Sequence, residues 1–122
     1  MGTKYILCDD QQFGSSKLTL RNRKDLKVIK TIHNKYGLLY CGLNYPEEKI
    51  IILGISWNLV RFNYKEMRIT EKVNTKDVDV LQIVKVNETT FLIGGFGNIS
   101  LRNRNDLTLL TILHIYDPDY FY

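Results

Sequence analysis

One nine-residue pattern occurs twice in the sequence, and this internal repeat constrains the fold more than any other feature. Residues 18–26 read LTLRNRKDL, and residues 99–107 read ISLRNRNDL. The two copies start 81 positions apart, about twice 40, and a weaker third copy, LVRFNYKEM, lies between them at residues 59–67. A period of 40 to 41 residues is typical of proteins built from repeated supersecondary units. The chain is therefore predicted to be a repeat array.

The repeat extends beyond these nine residues. A shift of 41 carries Ile50–Ile52 onto Phe91–Ile93 and Gly54 onto Gly95. The register then changes by about one residue near Trp57, where a change in length is expected to fall in a turn. Matches at several separate places indicate duplication of a whole unit rather than of one short motif.

Within one period, the local signals are those of short strands. Apolar and polar residues alternate at 18–20 and 99–101, and apolar runs of four to eight residues are separated by Asn, Asp, Gly or Lys. No window shows sustained helical periodicity, so the chain is predicted to be all-β. The predicted strands cover about 38–43, 49–55, 59–63 and 68–73 in the middle period, 80–86, 91–95, 99–103 and 108–113 in the last, and 4–8, 17–22 and 27–32 in the first, which has no room before Met1 for a leading strand.

Four short antiparallel strands in a period of about 40 to 45 residues resemble a blade of the WD-repeat β-propeller family. The resemblance rests on residues 49–67, KIIILGISWNLVRFNYKEM, and on residues 89–107, TTFLIGGFGNISLRNRNDL. The sequence departs from the family in two ways. Its Gly-His pair is absent, and its Trp-Asp pair is replaced by Arg21-Asn22 in the first period, by Phe62-Asn63 or Asn63-Tyr64 in the middle one and by Arg102-Asn103 in the last.

The resemblance implies a partial β-propeller made of four-stranded antiparallel blades. Residues 1–122 would form a single domain with an incomplete blade over 1–34, two blades over 35–75 and 76–115, and a tail over 116–122. A curled sheet or a β-sandwich is the alternative. Closed propellers typically use four to eight blades, so this chain alone does not close a ring, and its terminal blades would expose apolar surface. We therefore expect a protein partner, self-association or the rest of a longer protein to cover them.

The repeated Arg-Asn-Arg triplets supply the first candidate binding residues. Arg21, Arg23, Arg102 and Arg104 could hold phosphates, because the planar guanidinium suits bidentate anion recognition. The alternative is that these arginines lie on the outer part of a blade, solvated or packed by their aliphatic stems. Net charge is +4, a mild excess that does not by itself indicate nucleic-acid binding. Nucleic-acid or anionic-lipid binding through the triplets is therefore the alternative function.

Trp57 is the only tryptophan and supplies the second candidate. It falls in the turn between the second and third strands, which in a WD-repeat blade lies on a face commonly used for binding. Tryptophan is a favoured anchor at interfaces, although it could equally close a gap between two blades. The leading hypothesis is a non-catalytic protein–protein interaction module or scaffold that is part of a larger assembly.

Other classes of function receive no signal from the sequence. The composition, 44% hydrophobic and 25% charged, is that of an ordinary globular protein. Cys8 and Cys41 form no disulfide framework, and His33 and His114 have no cysteine or glutamate grouping beside them. We expect no metal, no cofactor and no enzymatic activity. With no signal peptide and no apolar run of about 18 residues, a cytoplasmic, intracellular location is expected.

Overall fold

Eleven strands form the secondary structure of the computed structural model, which describes residues 5–12, 15–34, 37–76, 80–95 and 98–114. The prediction of an all-β fold with antiparallel, propeller-like blades is confirmed. Consecutive strands pair in three separate sheets rather than in one curled sheet, and we call them the first, middle and third sheets. They contain β1 Tyr5–Gln12, β2 Ser15–Asn22 and β3 Val28–Asn34; β4 Leu39–Tyr45, β5 Ile50–Ile55, β6 Asn58–Asn63 and β7 Arg68–Asn74; and β8 Gln82–Lys85, β9 Thr90–Gly94, β10 Asn98–Asn103 and β11 Leu109–His114.

The first hairpin differs most from the predicted strands. β1 runs to Gln12, which pairs with Ser15, whereas the sequence predicted a strand that ends at Cys8. Residues 9–12 are all polar, so apolar alternation gives no sign of a strand there. Backbone pairing with β2 nevertheless continues to the end of the hairpin, because a ladder of main-chain hydrogen bonds needs no apolar side chain.

The middle sheet is buried on both faces, and β5 shows why its sequence is a continuous apolar run. Alternate side chains of a strand point to opposite faces, so Ile50 and Ile52 pack with the third sheet while Ile51, Leu53 and Ile55 pack with the first. Each such side chain contributes about 1.5–3 kcal/mol on burial. The other buried members are Leu18, Leu20, Val60, Phe62 and Tyr64 on the side of the first sheet, and Tyr45, Leu59, Val80, Ile83, Phe91, Ile93 and Leu107 on the side of the third.

Strand pairing shows that the offset between β5 and β9 is 40 residues, so the predicted offset of 41 was wrong. Ile51 pairs with Phe62, and Phe91 pairs with Arg102. Since Phe62 and Arg102 are 40 positions apart, Phe91 is the counterpart of Ile51. The apolar runs of β5 and β9 align equally well at offsets of 40 and 41, because every residue of such a run is apolar. A shift of one residue nevertheless moves each side chain to the opposite face of the sheet. Only the strand pairing distinguishes the two offsets, and it matches Gly54 with Gly94 and not with the predicted Gly95.

The repeated nine residues form the same turn at the end of β2, β6 and β10. Asn22, Asn63 and Asn103 end these strands, and each side-chain Oδ1 accepts the backbone N–H of the residue two positions later, at 2.8, 2.9 and 2.7 Å. This Asx arrangement favours a tight turn. The asparagine of the repeat therefore has a structural role in all three sheets.

A residue with left-handed backbone closes each of these turns. Leu26, Met67 and Leu107 have φ values of 60°, 57° and 63°. This conformation costs a non-glycine residue about 1–2 kcal/mol, so the turn must hold it in place. Asp25 and Asp106 help to do so, because each Oδ1 accepts the backbone N–H two positions later, at 3.1 and 3.0 Å. The acidic position of the repeat is thus also structural in the two outer sheets.

We expect Gly54→Ala to lower the free energy of unfolding by about 1–3 kcal/mol. A Cβ at this position would lie 2.6 Å from Cys41 Sγ and 2.9 Å from the carbonyl oxygen of Val80. Both distances are shorter than a van der Waals contact, so the neighbouring atoms would have to move. Gly42→Ala is the matched control in the same sheet, since its Cβ would meet ordinary contacts at 3.4 Å. Urea titrations of both variants measure the difference, and equal stabilities would contradict the close packing at Gly54.

Candidate functional site

The four predicted arginines do not form one surface. Arg21 is the penultimate residue of β2 in the first sheet, and Arg23 lies in the following turn. Arg102 and Arg104 occupy the same places in the third sheet. The middle sheet packs between these two sheets. Each triplet therefore has its own surroundings.

The first arginine of each triplet binds its own turn. Arg21 Nη1 donates to the carbonyl oxygen of Leu26, and Arg102 Nη1 donates to that of Leu107, both at 2.9 Å. Arg102 is only 9% exposed, and this burial lowers the pKa of its guanidinium. In the middle sheet, Phe62 stands at the same position. These two guanidiniums hold backbone carbonyls that would otherwise need another donor.

Arg104 joins the third sheet to the middle sheet. Its Nη1 lies 3.0 Å from Glu48 Oε1, in a geometry that makes an ion pair rather than a hydrogen bond. Its guanidinium carbon lies 5.3 Å from the centre of the Tyr45 ring, within the range of a cation–π contact. The Tyr45 hydroxyl in turn lies 3.3 and 3.2 Å from the carbonyl oxygens of Asn87 and Thr90. With 12% of its side chain exposed, Arg104 is part of the contact between sheets.

Arg23 differs from the other three. It is exposed, and its side chain makes no hydrogen bond or ion pair within the described ranges. It occupies the position in the first sheet that Arg104 occupies in the third. Of the four predicted residues, Arg23 is the one whose guanidinium is available to a partner.

Trp57 lies at the tip of the β5–β6 hairpin and is 49% exposed. Three neighbouring segments hold this tip through backbone hydrogen bonds. Ser56 N–H donates to the carbonyl oxygen of Leu38 at 2.8 Å, and Val80 N–H donates to that of Ser56 at 2.9 Å. Thr75 donates to the carbonyl oxygen of Trp57 from its N–H at 2.6 Å and from its hydroxyl at 2.7 Å. The indole is therefore presented from a well-supported turn.

Other large apolar side chains are exposed on the segments that meet at this tip. Leu38 precedes β4 and, besides accepting from Ser56, donates its N–H to Ser56 Oγ at 3.0 Å. The pairing of β4 with β5 shifts between Leu39 and Cys41, so Tyr40 lies in a bulge, a feature that redirects a side chain. We call these exposed residues the tip surface: Leu38, Tyr40, Trp57 and Leu81.

Sequence reasoning found Trp57 and missed the rest of the tip surface. Leu38, Tyr40 and Leu81 lie in apolar stretches that the pattern predicts to be strands, and nothing in the pattern separates an exposed residue there from a core residue. One local signal was present. Gly37 has a φ of 125°, and an added Cβ would lie 2.1 Å from Ser56 Oγ, so a glycine is required where this segment meets the tip.

The titratable residues of the described ranges do not form a group that could hold a metal ion. No group of three or more His, Cys, Asp or Glu side chains comes together there. Cys41 Sγ lies 3.4 Å from the carbonyl oxygen of Val80, and burial raises the pKa of its thiol to about 11, opposed in part by a backbone hydrogen bond from Gly54. The side chains of Cys8, His33 and His114, and the tail over 116–122, lie outside the described residues.

Comparison with known proteins supports the fold alone. No family model matches the chain, and no curated protein matches it. Among solved structures, dihydro-heme d1 dehydrogenase NirN in complex with DHE is similar over 95% of this chain, with a TM-score of 0.75 and 13% sequence identity. The match spans 25% of the NirN chain, so this chain corresponds to about a quarter of that protein's length. The likeness supports a propeller-like arrangement of the three sheets.

In the described part of the chain, no helix is long and apolar enough to serve as a transmembrane span.

We expect Arg104→Gln to lower the free energy of unfolding by about 1–2 kcal/mol, because the ion pair with Glu48 and the contact with the Tyr45 ring are both largely shielded from water. Arg68→Gln is the control, since the Arg68–Glu66 pair is exposed on both sides and such pairs contribute little. Chemical denaturation of both variants checks this. A larger loss for Arg68→Gln would reverse the assignment.

The Cys41 thiol is expected to react slowly. In a Cys8→Ser variant it is the only thiol, and its rise in pKa from 9.0 to about 11 lowers the thiolate fraction roughly hundredfold at pH 8. Alkylation by iodoacetamide should therefore be about a hundredfold slower in the folded chain than in urea. Because the fold favours the neutral thiol, this contribution to stability is complete below pH 9.0 and is lost as the pH rises through about 11. Equal alkylation rates would contradict the burial of this group.

Proposed function

We propose that this chain is a non-catalytic protein-binding module built from WD-repeat-like blades, and that it acts as part of a larger assembly. The observation that carries the proposal is Trp57, a half-exposed indole on a turn that three other segments hold in place. Propeller-like folds carry many functions, so the proposal rests on this surface and not on the fold.

The physical properties of the tip surface suit a protein partner. Tryptophan and tyrosine bury a large area with few rotatable bonds, and for this reason they dominate the energetics of many interfaces. The hydrogen bonds to Ser56 and Trp57 fix the backbone before binding, so less conformational entropy is lost when a partner docks. The adjacent Leu38 and Tyr40 extend the apolar area around this anchor.

The arginines favour protein binding over the nucleic-acid or anionic-lipid alternative. Three of the four guanidiniums contact the protein itself: those of Arg21 and Arg102 bind turn carbonyls, and that of Arg104 pairs with Glu48. Phosphate recognition benefits from several cations converging on one backbone, and the triplets lie on separate sheets. A cytoplasmic location and the absence of a cofactor belong to the same proposal.

The test compares the chain with its Trp57→Ala variant as baits, with bound proteins quantified by mass spectrometry. A partner that depends on Trp57 is then purified, and its Kd for both chains is measured by calorimetry. Loss of the anchor should raise that Kd roughly thirtyfold or more, the effect of removing an interface hot spot.

Leu110→Ala is the matched control, because Leu110 is as exposed as Trp57 but lies on the outer strand β11. It should leave the Kd within about threefold of the parent. If no partner distinguishes the Trp57→Ala chain from the parent, the proposal fails. Binding to RNA or anionic vesicles that weakens steeply with salt would instead favour the alternative.

A further inference from the structure

The contact between the first and middle sheets and the contact between the middle and third sheets use the same positions of the repeat. Each outer sheet has one further face built from these positions, which no sheet covers within the described residues. The face of the first sheet turned away from the middle sheet carries Arg21, Arg23 and Leu26; we call it the leading face. The corresponding face of the third sheet we call the trailing face. Alternation along the paired strands places on it Val84, Val86, Leu92, Ile99 and Leu113.

Leu26 shows what the leading face lacks. Its counterpart Leu107 has the same left-handed backbone but is 0% exposed, because it packs in the cluster between the third and middle sheets. The counterpart Met67 is partly buried against the first sheet. Leu26 is 54% exposed. Leu107 and Met67 thus each pack against the sheet that precedes their own. Within the described residues, no sheet precedes the one that carries Leu26.

The trailing face is apolar at most of the matching places. On the middle sheet, Leu43, Ile52, Leu59 and Val73 are buried or packed against the cluster shared with the third sheet. Their counterparts on the trailing face are Val84, Leu92, Ile99 and Leu113, of which Val84 and Leu113 are about half exposed. Gln82 and Thr90 stand where the middle sheet has Cys41 and Ile50, so the trailing face is polar at these two places.

Charge is also placed to complete the contact. Arg104 in the third sheet meets Glu48 of the preceding sheet, and Arg23 stands at the position of Arg104. The carboxylate that would correspond to Glu48 is Glu88. Two equivalent backbone hydrogen bonds give this match. Tyr64 N–H donates to the carbonyl oxygen of Lys49 at 2.9 Å, and Arg104 N–H donates to that of Thr89 at 2.8 Å, so the residues before Lys49 and Thr89 correspond. Glu88 is exposed and also contacts Lys85 Nζ.

The packing around two glycines agrees with an uncovered trailing face. Val80, at the entry to the third sheet, lies directly against Gly54 of the middle sheet, where an added Cβ would lie 2.7 Å from its Cγ1. Gly94 is the counterpart of Gly54, and an added Cβ there would meet nothing within 4 Å. The space beside Gly94 is therefore open to a neighbouring sheet.

We propose that two copies of this chain pair head to tail, the trailing face of each packing on the leading face of the other. In this arrangement Arg23 of one copy pairs with Glu88 of its partner. Two copies bring six sheets together, within the four to eight that close a propeller, whereas three copies would exceed this range. The inference uses the propeller-like fold and not the protein-binding role of Trp57.

The experiment measures the mass of the full 122-residue chain by sedimentation equilibrium over micromolar concentrations. The expected mass is twice the 14.3 kDa of one chain. Arg23→Glu and Glu88→Arg should each raise the dimer dissociation constant tenfold or more, because each places like charges opposite one another across the interface. Combining them should restore the constant to within about threefold.

Lys24→Glu is the matched control, since it makes the same change of charge one residue further on, outside the pairing; it should shift the constant by less than about threefold. A chain that stays at 14.3 kDa at every concentration would overturn the proposal, as would a dimer unaffected by the two single variants. A double variant that does not restore association would reject the Arg23–Glu88 pair.

Trp57→Ala separates this proposal from the protein-binding function. It should leave the mass of the assembly unchanged, because the tip surface is not part of either face. If the parent chain binds its partner but forms no dimer, the result counts against the head-to-tail pairing alone. If Trp57→Ala loses partner binding and keeps the dimer, both proposals are supported.

Discussion

The burial of the middle sheet between two others is the constraint on which the rest of this structure depends. Both faces of β5 are apolar, so the sheet needs a neighbour on each side. One repeat cannot bury its apolar faces alone, so stacking against neighbouring sheets supplies much of the stabilisation. The contacts at the rim, such as Arg104 with Glu48 and the ring of Tyr45, then fix how one sheet sits on the next.

Much of the fold follows from the sequence because a period and an alternation are both visible without coordinates. The period predicts the number of strands, and β6, β7, β10 and β11 lie close to their predicted bounds. Two features escape this reasoning. The offset of β9 is ambiguous where an apolar run is buried on both faces, and β1 continues through polar residues that only its pairing with β2 shows to be a strand.

The candidate site is less predictable, because it depends on which partner each side chain meets. The four arginines occupy two equivalent positions in two copies of the repeat, yet their surroundings differ. Arg21 and Arg102 each bind a carbonyl of their own turn, whereas Arg104 pairs with Glu48 of the neighbouring sheet. The indole of Trp57 could be placed in a turn from sequence. Its neighbours in the tip surface could not, because Tyr40 is displaced by a bulge that no local pattern signals.

The Asx turn that ends β2, β6 and β10 has an evolutionary consequence. Its bonds lie within the turn itself, so a duplicated segment brings the whole device with it and needs no adaptation to its new neighbour. Drift can then alter the faces while the turn persists. Phe62 stands where Arg21 and Arg102 stand, and the turn after it keeps both its asparagine and its left-handed residue. The most recognisable letters of the repeat thus record how the chain was copied, and the variable letters around them record what each copy came to pack against.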